Sequence, residues 1–197
     1  TVNSAPAFAR DGRSDLLASL DDWQMINVGD GSQKEGDEIV LRDNGSRLMS
    51  SFETRSIELG RRFRLTFDFQ YHSDPQNQVA VFLYFTADPA TGSESTALIL
   101  LPEPGERAPH LGFARQSPEK TWSVQSGNDL PGPLGANRWH RYELAWNEAT
   151  RALAVSIDGK IVLDSILERT DVLRSPWGIG MGGFRELRLR SMTLRDE

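Results

Sequence analysis

With 197 residues, 38% of them hydrophobic and 25% charged, and a net charge of −6, the chain has the make-up of one globular domain, not of a disordered or nucleic-acid-binding polypeptide. No apolar run reaches the ~18 residues of a membrane span, so no membrane insertion is expected. The absence of cysteine excludes disulfides, thiolate metal sites and cysteine nucleophiles.

Residues 1–15, TVNSAPAFARDGRSD, are small, polar and aperiodic. They read as a linker or frayed arm before a single domain over 16–197. Trp23–Val28 and Glu38–Leu41 have the alternation of short strands, joined by the loop GDGSQKEGD. Asn44-Gly45 predicts a hairpin turn into a strand around Arg47–Phe52. Asn44-Gly45-Ser46 is also a glycosylation sequon, for which the turn is the simpler reason.

Arg62–His72 is the longest strand. Phe63, Leu65, Phe67, Phe69 and Tyr71 share one face, and Arg64, Thr66, Asp68, Gln70 and His72 the other. Gln78–Ala87 is apolar on both faces, the mark of a central strand covered on both sides. Thr96–Leu101, His110–Arg115 and Thr121–Gln125 follow as short strands. DPATGSES, PEPGERAP and SGNDLPGPLGAN lie between them and are too rich in Gly and Pro for regular structure.

Trp139–Val162 reads as two successive hairpins. His140, Tyr142, Leu144 and Trp146 alternate with Arg141, Glu143 and Ala145, and Asn147–Thr150 makes a polar turn. Leu153, Val155 and Ile157 form the next inward row. Asp158-Gly159 then suits the two positive φ angles of a type I′ turn. Ile166–Leu173 has helical spacing for one or two turns. Trp177–Gly183 carries glycines that allow close strand packing. In Glu186–Asp196 the leucines change phase, which predicts a β-bulge near Arg190–Ser191. Twelve to fourteen strands punctuated by turns predict an all-β, antiparallel β-sandwich.

Asp22-Trp23-Gln24, Glu38–Leu41, Ile57-Glu58-Leu59 with Phe63–Phe69, and Trp139 with Arg141-Tyr142-Glu143-Leu144 and Asp158-Gly159 occur in an order that resembles the concanavalin A-like lectin/glucanase superfamily. Within it, the chain is similar to laminin-G-like and 3-keto-disaccharide hydrolase-type domains. The resemblance implies a jelly roll over residues 20–195 and a function in carbohydrate recognition, adhesion or glycoside hydrolysis, because one sandwich serves all three. It implies an extracellular or periplasmic location. A chain that opens at Thr1 without a signal segment is then expected to be a processed or excised piece of a larger envelope or secreted protein. Structural calcium occurs in relatives of this fold, although Asp30, Asp37 and Glu38 match no calcium loop.

Laminarinase-type glucanases of the superfamily carry Glu-x-Asp-x-x-Glu on one strand. Here Glu143-Leu144-Ala145-Trp146-Asn147-Glu148 has alanine in place of the aspartate, and no glucanase activity is expected. The keto-disaccharide hydrolase-type pattern is matched only by Thr91-Gly92. His72-Ser73-Asp74 before Pro75 reads as a turn, and His140 as a core histidine with its hydrogen bonds made. The expected function is therefore a non-catalytic carbohydrate- or protein-binding module without catalytic residues or cofactor. The alternative is a hydrolase acting on a modified glycoside. The polar face of the long strands supplies planar hydrogen-bonding groups, with Arg64, Asp68, Gln70, Tyr84, Arg141 and Glu143 as candidate ligand contacts. The expected groove is centred on Asp68, Tyr84 and Arg141.

Overall fold

The computed structural model describes residues 14–45, 50–73, 80–85, 95–102, 108–116, 122–168, 173, 175–182 and 184–197. Among them there are fifteen strands and no helix. Sheet I has the order β13 (Lys160–Ile166), β12 (Ala152–Ile157), β11 (His140–Asn147), β6 (Arg62–Ser73), β15 (Phe184–Asp196), β4 (Glu38–Arg42) and β3 (Gln33–Glu35), and β1 (Ser14–Asp15) also pairs with β15. Sheet II has the order β10 (Trp122–Asp129), β9 (His110–Gln116), β8 (Thr96–Leu101), β7 (Ala80–Phe85), β14 (Trp177–Gly182), β5 (Ser50–Thr54) and β2 (Trp23–Ile26). All the described pairings are antiparallel.

The core lies between the two sheets and follows the period of two. Phe63, Leu65, Phe67, Phe69 and Tyr71 from β6 meet Val81, Leu83 and Phe85 from β7 and Trp177, Ile179 and Met181 from β14. Trp23 stacks on Phe52 at 4.2 Å, and Phe67 on Tyr142 at 4.9 Å. The two hairpins form as read: β11 pairs with β12 and β12 with β13, and Asp158 and Gly159 take φ of 51° and 76°. The phase change in β15 is a bulge between Arg190 and Thr193, with Ser191 at φ 52°. It returns Met192 to the core side.

Three expectations are corrected. β6 and β11 pair, but β7 lies in the facing sheet, so the polar face expected to hold Asp68, Tyr84 and Arg141 together is divided between two layers. β4 and β5 are also in different sheets, so Asn44-Gly45 is not a hairpin turn between paired strands. Ile166 ends β13 instead of starting a helix, and 169–172 and 174 lie outside the described residues. At the start of the described residues β1 pairs with β15, the Leu16 amide donates to the Met192 carbonyl, and Leu17 is buried. The expected strand ends at 78–79 and 86–87, most of the loops 88–95 and 102–109, the Asp74-Pro75 turn and residues 46–49 lie outside the described residues.

Candidate functional site

β14 reads Trp177-Gly178-Ile179-Gly180-Met181-Gly182. The bulky residues turn to the core, so the period of two leaves glycines alone on the opposite face. Register then supplies the neighbours. Gly178 lies between Glu53 of β5 and Tyr84 of β7, and Gly180 lies between Ser51 and Phe82. Gly182 lies beside Ala80. Further out come Ala97 and Ile99 of β8, then Ala114 and Gly112 of β9. The result is a trough in the backbone, about 14 Å long over three alternate residues and about 10 Å between β5 and β7, which side chains fill: Tyr84 lies over Gly178, Phe82 lies against Gly182, and Gly178 and Gly180 are buried.

Tyr84 is held in this trough because Gly178 leaves room for it. A Cβ at Gly178 would stand 2.7 Å from the Tyr84 hydroxyl and 2.6 Å from the Phe52 carbonyl. The hydroxyl reaches over the strand and donates to Glu53 Oε2 at 3.2 Å, while Arg55 Nε donates to Oε1 at 3.3 Å. Glu53 is 8% and Tyr84 5% exposed, yet Tyr84 does not belong to the core between the sheets. Burial pushes the Tyr84 phenol well up. The Ser51 hydroxyl offsets this in part, and the Glu53 charge adds to it, so the phenol keeps its proton. At the far end of the same face, His110 Nδ1 and Asp129 Oδ1 are 2.9 Å apart.

The outer face of sheet I is built differently. Asp68 lies opposite both Arg141 and Arg190. Arg141 Nε donates to Asp68 Oδ1 at 2.8 Å, and Arg190 Nε is 3.5 Å from Oδ2. Arg190 also stacks on the Trp139 ring, 3.9 Å from its centroid. Glu143 accepts from Ser156 at 3.1 Å, Arg64 pairs with Glu197 at 2.8 Å, and Gln70 faces Arg188 across the ladder. Glu186 takes Arg188 and Arg42 at 2.6 and 3.1 Å. Partial burial would raise the Glu186 carboxyl, but the two guanidiniums outweigh it and hold the carboxyl below its ordinary range.

Five of the six expected contacts, Arg64, Asp68, Gln70, Arg141 and Glu143, therefore share the outer face of sheet I, and Tyr84 lies on sheet II. A groove centred on Asp68, Tyr84 and Arg141 does not exist, because the thickness of the sandwich separates Tyr84 from the other two. Asp68 has the outward parity expected, but its flanking arginines leave it only 9% exposed. The sequence reads the glycines of β14 as room for close strand packing, and nothing in it joins them to Glu53 and Tyr84. The signal was present in the strict alternation of glycine with Trp177, Ile179 and Met181.

Other expected features settle into structural roles. His140 is buried, with Nδ1 2.8 Å from Asp158 Oδ2 and Nε2 2.9 Å from the Gly135 carbonyl. Glu148 is in the turn after β11, 3.8 Å from Arg61. Glu38 accepts from Arg188 at 3.0 Å, and Asp30 and Asp37 are exposed. Among the described residues no group of three His, Asp or Glu is placed to hold a metal ion.

No family model matches the sequence, and no curated protein matches it. Solved structures do match in fold. The carbohydrate-binding module CBM66 from Bacillus subtilis is 14% identical, with a TM-score of 0.61 over 89% of this chain and 96% of that one. The carbohydrate recognition domain of Emp47p is 15% identical, with a TM-score of 0.64 over 94% of each chain. The Bacillus licheniformis β-glucanase is 11% identical, with a TM-score of 0.62 over 94% of this chain and 98% of that one. The fold is the concanavalin A-like jelly roll.

Proposed function

We propose that this domain is a non-catalytic carbohydrate-binding module that takes its ligand on the outer face of sheet II. The observation that carries this reading is the contrast between the two outer faces. Sheet I spends its outer face on cross-strand ion pairs. Sheet II keeps Gly178, Gly180, Gly182, Gly112, Ala97 and Ala114 there, with Phe82, Tyr84 and Glu53 beside the glycine row. Alternate glycines in a central strand weaken the strand and admit close approach of other groups, and here they let Tyr84 and Phe82 lie against it. Aromatic side chains next to such a floor offer an apolar ring face with a polar tip, suited to a sugar's C–H face and hydroxyls. The fold likeness to a carbohydrate-binding module and a carbohydrate recognition domain agrees with this reading.

Hydrolysis is the weaker reading. Retaining or inverting chemistry needs two carboxyls roughly 5–9.5 Å apart across the scissile bond. On this face the described carboxylates are Glu53 on β5 and Asp129 on β10, with β14, β7, β8 and β9 between them. Five strand spacings put them about 24 Å apart. The place of action this reading implies is the cell envelope or exterior, where glycans are displayed.

A glycan array probed with the isolated domain tests the proposal. Binding to a defined glycan is expected, and Phe82→Ala should weaken it at least tenfold while Arg141→Ala leaves it unchanged. Loss through Arg141→Ala with no effect of Phe82→Ala would move the site to sheet I and reject the proposal.

A further inference from the structure

We infer that the His110–Asp129 pair is the polar end of the glycan site, and that the ligand is an oligosaccharide lying across the strands of sheet II between this pair and Phe82. The inference rests on the carbohydrate-binding reading and adds to it the contact residues at the far edge and the length of the ligand.

His110 opens β9 and Asp129 closes β10, and the two are direct cross-strand partners on the outer face. One alternate residue further in, Gly127 lies opposite Gly112. A Cβ at Gly127 would stand 2.9 Å from His110 Cε1, and one at Gly112 would stand 3.3 Å from Nε2. The paired glycines let the imidazole lie down on the backbone, as Gly178 does for the Tyr84 ring. The outcome differs. Tyr84 and Glu53 are buried and bonded to each other, whereas the His110 side chain is 29% and the Asp129 side chain 71% exposed. A ligand can reach this pair.

The pair also has bonding capacity left. Asp129 as a carboxylate only accepts, so His110 Nδ1 carries the proton of the 2.9 Å bond to Oδ1. Among the described residues neither Asp129 Oδ2 nor His110 Nε2 has a hydrogen-bond partner. Oδ2 accepts from a hydroxyl. Nε2 accepts from one when the ring is neutral and donates to one when it is protonated. A sugar hydroxyl, both donor and acceptor, satisfies every one of these. Between the pair and Phe82 the face is apolar: Leu101 is beside His110, Ile99 beside Gly112, and Phe82 beside Ile99. These three side chains are half-buried, and Val124, on the other side of the glycine pair, is 59% exposed. Such a strip suits the C–H faces of sugar rings, with hydroxyl contacts at its end.

Distance sets the length of the ligand. Phe82 on β7 and Asp129 on β10 are three strand spacings apart and one alternate residue out of row, about 16 Å in all. A pyranose ring covers about one strand spacing, ~5 Å. A ligand that touches both ends therefore has about three sugar units.

The test is an array of gluco-, manno-, galacto-, xylo-, fructo- and N-acetylchito-oligosaccharides, each from one to six units, probed with the isolated domain. The series that binds is expected to gain at least tenfold in affinity between one and three units and to level off by about four. Asp129→Ala and His110→Ala are each expected to weaken the trisaccharide at least fivefold, while Arg141→Ala does not. Asp129 is exposed, so its removal should leave the melting temperature within a few degrees, and the loss then reports on contact and not on folding. A single sugar bound as tightly as its trimer overturns the inference and leaves the carbohydrate reading standing. So does a trimer whose affinity survives Asp129→Ala and His110→Ala but falls with Phe82→Ala. Absence of binding in every series overturns the carbohydrate reading and this inference with it.

Discussion

Asp158 fastens His140 and the start of β11 from a turn 18 residues further on. Its Oδ2 lies 2.8 Å from His140 Nδ1, and its Oδ1 accepts the Arg141 amide at 2.9 Å. The same residue holds a positive φ of 51° at the β12–β13 turn. One carboxylate thus closes the double hairpin, and His140 passes the tie on to the Gly135 carbonyl.

That tie is acid-sensitive. Partial burial raises the Asp158 carboxyl, but His140, the Arg141 amide and Arg138 together hold it below its ordinary value of 3.8. A depressed folded-state value means that the stabilisation is complete above the unfolded carboxylate range and is lost as pH falls through the folded value. Glu186 and Glu197 are lowered as well, the latter chiefly by Arg64. Melting temperature should therefore be flat down to about pH 5 and fall below about pH 4. Asp158→Asn, which tolerates the turn, should lower the plateau and make the acid limb shallower. A limb of unchanged steepness in that variant would rule out Asp158 as a contributor.

Tyr142 gives the opposite sign. Its hydroxyl is buried between the sheets without a hydrogen-bond partner among the described residues, and burial pushes the phenol far up. An unpartnered buried hydroxyl costs about 1–3 kcal/mol in desolvation. Tyr142→Phe keeps the stack on Phe67 and should leave stability unchanged or raise it by up to about 1 kcal/mol. Denaturant unfolding measures this, and a loss above that size would mean the hydroxyl has a partner in solution.

Gly178 and Gly182 make a graded pair. A methyl at Gly178 would collide with the Phe52 carbonyl and the Tyr84 ring, whereas at Gly182 its nearest neighbour is a Phe82 ring atom at 3.3 Å. Gly178→Ala should cost about 1–3 kcal/mol by overpacking against backbone. Gly182→Ala should cost less than half as much, since a side chain can give way. Equal losses in thermal unfolding would show that the backbone clash is relieved.

The ion pairs on sheet I should contribute little. The Arg141 side chain is half exposed, and exposed pairs are typically worth about 0–1 kcal/mol. Arg141→Ala should cost no more than about 1 kcal/mol and lose that effect in high salt. Asp68→Ala should cost more, because it leaves Arg141 and Arg190 facing each other without their shared carboxylate.

The strands and their parity were legible because side-chain alternation survives in a single sequence. Phe63, Leu65, Phe67, Phe69 and Tyr71 point inward, and the Asp158-Gly159 turn and the bulge near Arg190 lie where the residues predict them. Sheet membership was not legible. Period two tells which side of a strand meets the core, but both sheets of a sandwich meet the same core. Tyr84 and Asp68 both point away from the core, and nothing in their own strands says that they point away on opposite sides. The pairing of β14 between β5 and β7 brings Glu53 to Tyr84 from 31 residues away, and no local pattern carries that contact.

β14 and β15 are the last two strands of the chain and occupy the interior of both sheets: β14 separates β7 from β5, and β15 separates β6 from β4. A nascent chain that has reached only residue 176 holds four strand edges that will later be covered, two in each layer. Such edges pair readily with other chains. Contacts joined over this much sequence also form slowly, because a long loop must close before they stabilise anything. For this domain, folding waits on residues 177–196, and both layers close when that same short segment has been made.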